Sequence, residues 1–169
     1  MVEQQMILRE FQCLTKLDHP LIQEILEVFI DRNFIYFVSP FYSGGEIYDL
    51  MYNDNTSEES EEIQLEPVPE DLLKPLIFQT LKVMNYLKNN NILHRDLKPQ
   101  NIMLESFYDK NSKSFIKIID FGYSLNLNSL STLPKDQVDL ILNFIMGTFA
   151  YTAPELLEQK DNFQDQFKI

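Results

Sequence analysis

The stretch ILHRDLKPQNIML, Ile92 to Leu104, sets a histidine, two cations, an acid, a proline and an asparagine between two apolar ends. Apolar ends of this kind anchor in a core, so the polar centre becomes a loop held on both sides. That loop offers Asp96 to orient a hydroxyl, Lys98 to meet a phosphate and Asn101 to bring an amide to a metal. Together these tasks belong to phosphoryl transfer. Taken singly, an Asp or Asn in a loop is an ordinary turn or cap residue, so the order carries the signal.

Downstream, Ile102 to Leu104 and Phe115 to Ile119 read as short strands around the polar loop ESFYDKNSKS, and Asp120, Phe121 and Gly122 end the second. Asp120 is thereby placed at a strand end, a hard carboxylate of the kind Mg2+ prefers, with Asn101 as a second oxygen donor. Upstream, Leu72 to Leu87 is the strongest helical pattern, with Leu73, Leu76, Ile77, Thr80, Leu81, Met84 and Leu87 on one core-facing side. Pro75 is tolerable only near its start, and Asn89 to Asn91 stop it. Glu3 to Leu17 reads as a second amphipathic helix carrying Met6, Ile7, Phe11, Leu14 and Leu17. Ile22 to Ile30 and Phe34 to Val38 read as a hairpin around Asp31, Arg32 and Asn33. From Asp54 to Asp71 the chain has eight acids and no base, a solvated loop. Val138 to Met146 is a further helical pattern, and its apolar run is expected to dock on the body of the protein or on a partner.

With 169 residues, 44% of them hydrophobic, the chain suffices for one domain with a real core. The single Cys13 excludes an intramolecular disulfide, no secretory signal opens the chain, and no apolar run approaches the roughly 18 residues of a membrane span. The expectation is a soluble, intracellular, cytoplasmic protein. A net charge of -12, with 14 scattered Lys and Arg, argues against nucleic acid and suits a basic peptide partner.

HRDLKPQN at His94 to Asn101, DFG at Asp120 to Gly122 and APE at Ala153 to Glu155, in that order, resemble the eukaryotic protein kinase family: its catalytic loop, its metal-binding motif and the close of its activation segment. The wording is most similar to the calcium/calmodulin-dependent and calcium-dependent kinases. The resemblance implies an α+β, two-lobed fold: residues 1–38 as the end of the small lobe, 39–45 as the hinge and 46–169 as the start of the large lobe. It implies ATP and Mg2+ as cofactors and protein hydroxyls as acceptors. Asp96 then accepts the hydroxyl proton, Lys98 contacts the transferring phosphate and points to Ser/Thr over Tyr substrates, and Asn101 and Asp120 hold the metals. Thr148, after Gly147, resembles the threonine that contacts the catalytic aspartate and helps select Ser/Thr. REFQCLTKLDHPLI resembles the end of the regulatory helix, making Glu10 the partner of an ATP-binding lysine. IYFVSPFYSGGEIYDLM resembles the hinge, with Ser39 as gatekeeper, Phe41 and Tyr42 beside an adenine held by backbone groups, Met103 across the cleft, and Glu46 near the ribose or a basic peptide residue. Arg95 resembles the cation that pairs with an activation-segment phosphate, and Ser129, Ser131 and Thr132 are the acceptor candidates.

The sequence also departs from the family. Its four glycines are Gly44, Gly45, Gly122 and Gly147, so the phosphate-covering glycine-rich loop is not among these residues. The pairing lysine lies about twenty residues before the helix glutamate in the family, and nine residues precede Glu10. The expectation is an incomplete kinase domain, with Leu81, Met84, Ile102 and Leu104 short of apolar partners. Two alternatives stay open: an inactive pseudokinase, and a scaffold or binding module that keeps the kinase fold.

Overall fold

A computed structural model describes residues 7, 10–32, 34–51, 68–106 and 115–157. The first helix, α1, is described over residues 10–14, and the chain turns at 15–16. Cys13 and Leu14 are its buried residues, whereas Phe11 is exposed. The remainder of the expected Glu3 to Leu17 helix lies largely outside the described residues, as do residues 54–67 of the acidic loop. The last two acids of that expected loop, Glu70 and Asp71, instead open a helix, where carboxylates meet the positive end of the helix dipole.

Strands β1 (Glu27–Ile30) and β2 (Ile35–Val38) form the expected hairpin, in antiparallel register from Glu27 opposite Val38 to Ile30 opposite Ile35. The Asp31 carboxylate closes the turn, accepting from the Phe34 amide at 2.8 Å and from the Tyr36 hydroxyl at 3.0 Å. The first strand is shorter than its apolar run because β2 offers only four residues to pair with. Ile22, read as its start, bridges to Ile118 instead.

Helix α2 (Glu70–Asn89) is the longest element, with Leu72, Leu76, Val83 and Leu87 as its buried stripe. This corrects the face expected from periodicity. Leu73, Ile77 and Leu81 are 38%, 50% and 59% exposed and line an open apolar groove with Ile47, Val68 and Leu97. The helix is tied down at its middle and near its C-terminal end. Gln79 Oε1 accepts the Ile116 amide at 3.0 Å, and the Tyr86 hydroxyl accepts the Asp18 amide at 2.9 Å.

Two further ladders complete the frame. Strand β3 (Ile92–Leu93) pairs antiparallel with β6 (Leu125–Asn126), and β4 (Ile102–Leu104) with β5 (Ile116–Ile118). The β4–β5 pair is the centre of the core: Leu104, Ile116, Ile118, Phe121 and Val83 are fully buried. Ile102 and Leu104 therefore do not lack partners, whereas Leu81 does stand exposed. Helix α3 (Lys135–Asn143) forms where a helical pattern was expected but begins and ends three residues earlier. Val138 and Ile141 are half-buried, whereas Leu140, Leu142 and Phe144 are exposed and not packed on the body of the protein. A short α4 (Pro154–Leu157) follows. No helix among the described residues is long and apolar enough to cross a membrane.

Candidate active site

The ILHRDLKPQNIML stretch leaves β3 at Leu93, makes a 3-10 turn at Pro99–Asn101 and re-enters the core as β4. Its polar centre is thus clamped between two ladders, as its apolar ends require. His94, Asp96 and Asn101 are all buried. Arg95 has a positive φ of 68°, and Asp120 one of 61°, a conformation uncommon for side-chain-bearing residues and found where surrounding structure enforces it.

Asp96 is the hub. Its Oδ1 accepts the Thr148 amide at 2.7 Å, and its Oδ2 lies 3.0 Å from Lys98 Nζ and 3.2 Å from Asn101 Nδ2. Lys98 Nζ also donates to Thr148 Oγ1 at 2.7 Å. Asn101 Nδ2 donates to the Asp96 carbonyl at 2.8 Å and reaches Asp120 Oδ2 at 3.5 Å, the outer limit of a hydrogen bond. A single amide therefore touches both carboxylates. Burial pushes the Asp96 carboxyl up, but hydrogen bonds from Thr148 and Lys98 outweigh it and hold the group below the usual carboxylate value. Asp96 is consequently ionised at neutral pH, the state an acceptor of a hydroxyl proton needs.

Glu10 reaches the same region. Burial raises its pKa, the charge of Asp120 raises it further, and a hydrogen bond from the Phe121 backbone opposes both. Glu46 forms an antiparallel bridge with Met103, so these two candidates face the same short ladder. Gly44 enables it: a Cβ there would sit 2.3 Å from the Ser106 carbonyl oxygen and 2.5 Å from the Leu104 Cβ. Phe41 is 90% exposed. Tyr42 is buried, its hydroxyl accepting the Glu24 amide at 3.3 Å and its ring 5.9 Å from Lys117 Nζ. Its side chain is thus engaged in packing.

The activation-segment candidates sit apart from this hub. Ser129 donates to the Asn126 carbonyl at 2.6 Å and Ser131 to the Asn128 carbonyl at 2.8 Å, while Thr132 is exposed. Arg95 Nε donates to the Tyr123 carbonyl at 2.7 Å. Ser129 shares a cavity of about 210 Å3 with Gln12, Cys13 and Lys16.

Several contacts around the hub lie on residues outside the candidate set. His94 Nε2 meets the Ile119 carbonyl at 3.1 Å, and the Ser124 hydroxyl donates to Cys13 Sγ at 2.9 Å, fixing α1 to the segment after Gly122. Gln100 Oε1 and Thr152 Oγ1 are buried without a hydrogen-bond partner among the described residues. The signal for His94 was its place between an apolar strand and the polar loop. For Gln100 and Thr152 no local signal exists.

This geometry agrees with the comparison against known families, in which residues 1–167 match the model of the protein kinase domain. The chain belongs to the protein kinase domain family. It is 37% identical over 156 residues to calcium-dependent protein kinase 4 of Plasmodium berghei (strain Anka), covering 92% of this chain and 25% of that protein. It is 34% identical over 149 residues to calcium-dependent protein kinase 3 of Plasmodium yoelii yoelii, covering 88% and 24%. Against calcium/calmodulin-dependent protein kinase type 1 of Macrobrachium nipponense the identity is 30% over 151 residues, covering 89% and 37%. The kinase-domain chain thus spans about a quarter of the length of the first curated relatives it matches.

Proposed function

We propose that this kinase-domain chain carries the acceptor-facing and metal-facing groups of an ATP-dependent Ser/Thr protein kinase. The observation that carries the reading is the hub at Asp96: one buried, ionised carboxylate bound to Thr148, Lys98 and Asn101, with Asn101 reaching Asp120. Asp96 takes the proton of a substrate hydroxyl as its oxygen bonds to the γ-phosphorus and the bond to the ADP oxygen breaks. Lys98 is held where it can meet the charge of the moving phosphoryl group, and Thr148 fixes both side chains.

The donors fit Mg2+. Asp120 and Asn101 offer hard oxygens, and no cluster of three or more His, Cys, Asp or Glu among the described residues makes a closed cage. An ion that takes only one or two protein ligands and completes its sphere with phosphate oxygens matches that arrangement. When bound, Mg2+ neutralises charge on the nucleotide phosphates. Backbone groups of 39–42, with Phe41, Tyr42 and Met103, border the adenine site, Glu46 serves the ribose or a basic peptide residue, and Glu10 pairs with the nucleotide-binding lysine.

The partner is a protein substrate, basic around its acceptor given the net charge of -12. Phosphate on Ser129, Ser131 or Thr132 raises activity through Arg95. The site of action is the cytoplasm.

The test is phosphate transfer from labelled ATP by the full-length protein to matched Ser, Thr and Tyr peptides. Transfer to Ser and Thr that vanishes in Asp96→Asn is expected. Equal transfer by that variant overturns the reading.

A further inference from the structure

We propose that Gly147 is a positioning residue: its missing side chain lets Thr148 close on Asp96 and Lys98, and any β-carbon at 147 pries that clamp open. The inference rests on the reading of Asp96 as the acceptor-facing group, and it adds to that reading a residue that acts through its lack of a side chain.

The geometry is tight on one side only. A Cβ on Gly147 would lie 2.3 Å from the Arg95 carbonyl oxygen, 2.9 Å from Asp96 Oδ1 and 3.1 Å from Asp96 Cβ. The nearest obstacle is backbone, which cannot rotate aside as a side chain can. Arg95 is also held in place. Two residues before it Leu93 pairs with Leu125 in the β3–β6 ladder, its own guanidinium is fixed on the Tyr123 carbonyl, and its neighbour His94 is anchored to Ile119. The segment at 147–148 is therefore the part that must move, and Thr148 moves with it.

What Thr148 holds makes the displacement consequential. Its amide donates to Asp96 Oδ1 at 2.7 Å, its hydroxyl accepts from Lys98 Nζ at 2.7 Å, and Lys98 closes the ring on Asp96 Oδ2 at 3.0 Å. Withdrawing Thr148 removes one hydrogen bond from each of the two charged side chains, and hydrogen bonds to charged groups are the stronger kind. Gly147 also has φ of 89°, so two demands coincide. Gly45 separates them: with φ of 77° it shares the backbone demand, yet a Cβ there meets only Asp49 Oδ2 at 3.4 Å, an ordinary contact.

The test is amide hydrogen exchange on the full-length protein, without nucleotide or peptide, for wild type, Gly147→Ala and Gly147→Asn. Asn tolerates the left-handed region, so it satisfies a demand for positive φ alone but not one for close approach. The expected result is Thr148 exchange faster by at least about tenfold in both variants, with the Leu104 and Ile118 amides of the central strands, which donate to the Gly45 and Leu21 carbonyls, at wild-type rates. Wild-type protection of Thr148 in Gly147→Ala overturns the proposal. So does restoration by Gly147→Asn, which would leave φ as the sole requirement. Equal acceleration at Thr148, Leu104 and Ile118 overturns it as well, because Gly147 would then support the whole fold and not the clamp. No outcome depends on phosphate transfer, so failure of the kinase reading and failure of this inference are told apart.

Discussion

Nε2 of His94 lies 3.1 Å from the carbonyl oxygen of Ile119. The other ring nitrogen, Nδ1, accepts the Asp96 amide at 3.3 Å, so the ring proton sits on Nε2 and is donated to Ile119. One neutral imidazole thereby fixes the loop carrying Asp96 to the strand end carrying Asp120. Burial lowers the His94 pKa, against upward pulls from the Ile119 carbonyl and from Asp120 and Asp96. The unfolded ring gains a proton near pH 6.5 that the folded ring resists. The unfolded state then binds more protons, so this contribution is complete above about pH 6.5 and is lost as pH falls below it. His19 is shifted in the same direction, chiefly by burial. Calorimetry between about pH 5 and 8 should show the wild-type melting temperature falling on the acid side, and His94→Gln should flatten most of that slope. An unchanged slope would place the effect elsewhere.

Asp96→Asn and Asp120→Asn should part company in the full-length protein. On the proposed reading the first removes the proton acceptor, with an expected loss of about 10²–10⁴ in turnover and little change in nucleotide affinity. On the same reading the second removes a metal ligand and should weaken Mg-ATP binding as well. Nucleotide titration of both variants checks this, and equal losses of affinity would refute the division of roles.

Glu10 works with the opposite sign. Its folded pKa is raised, by burial first and by Asp120 second, so protonation favours the folded state. Its stabilising contribution is full below the unfolded value near 4.5 and lost as pH rises through the folded one. Glu10→Gln, which stays neutral, should therefore melt higher than wild type at pH 7 and converge with it below about pH 4. A melting temperature lower than wild type at neutral pH would show that a favourable partner of the charged form outweighs burial.

The orientation of α2 is testable by contrast. Leu76→Ala removes a buried side chain and should cost about 2–5 kcal/mol. Ile77→Gln, one position along, should change stability by less than about 0.5 kcal/mol because its side chain already meets water. Denaturant melts of the two variants decide the matter, and similar losses would mean that the groove face is the packed one.

The same helix shows where sequence reading stops. Leu72, Leu76, Val83 and Leu87 form one apolar stripe, and Leu73, Ile77 and Leu81 form another beside it. Periodicity has two acceptable answers when half of a helix is apolar, and strands β3 and β5, brought in from later in the chain, select between them. The loop at Asp96 was legible because three kinds of chemistry stand there in an order that ordinary turns do not need. Tyr42 was not, since what turns its ring inward is the Glu24 amide, 18 residues earlier. The tight approaches at Gly44 and Gly147 are likewise invisible until two distant backbones are laid side by side.

The β3–β6 ladder consists of two residue pairs, Ile92 with Asn126 and Leu93 with Leu125. Everything from His94 to Ser124, including Asp96, Asn101 and Asp120, lies inside the loop that these few rungs close. Bringing its ends together costs chain entropy before any rung repays it, and the pairing of β4 with β5 inside the loop lowers that cost by shortening the path. A fluctuation that opens Leu93 from Leu125 therefore loosens both ends of the segment that carries Asp96, Asn101 and Asp120, while Thr148, outside it, is tied to it only through Asp96 and Lys98.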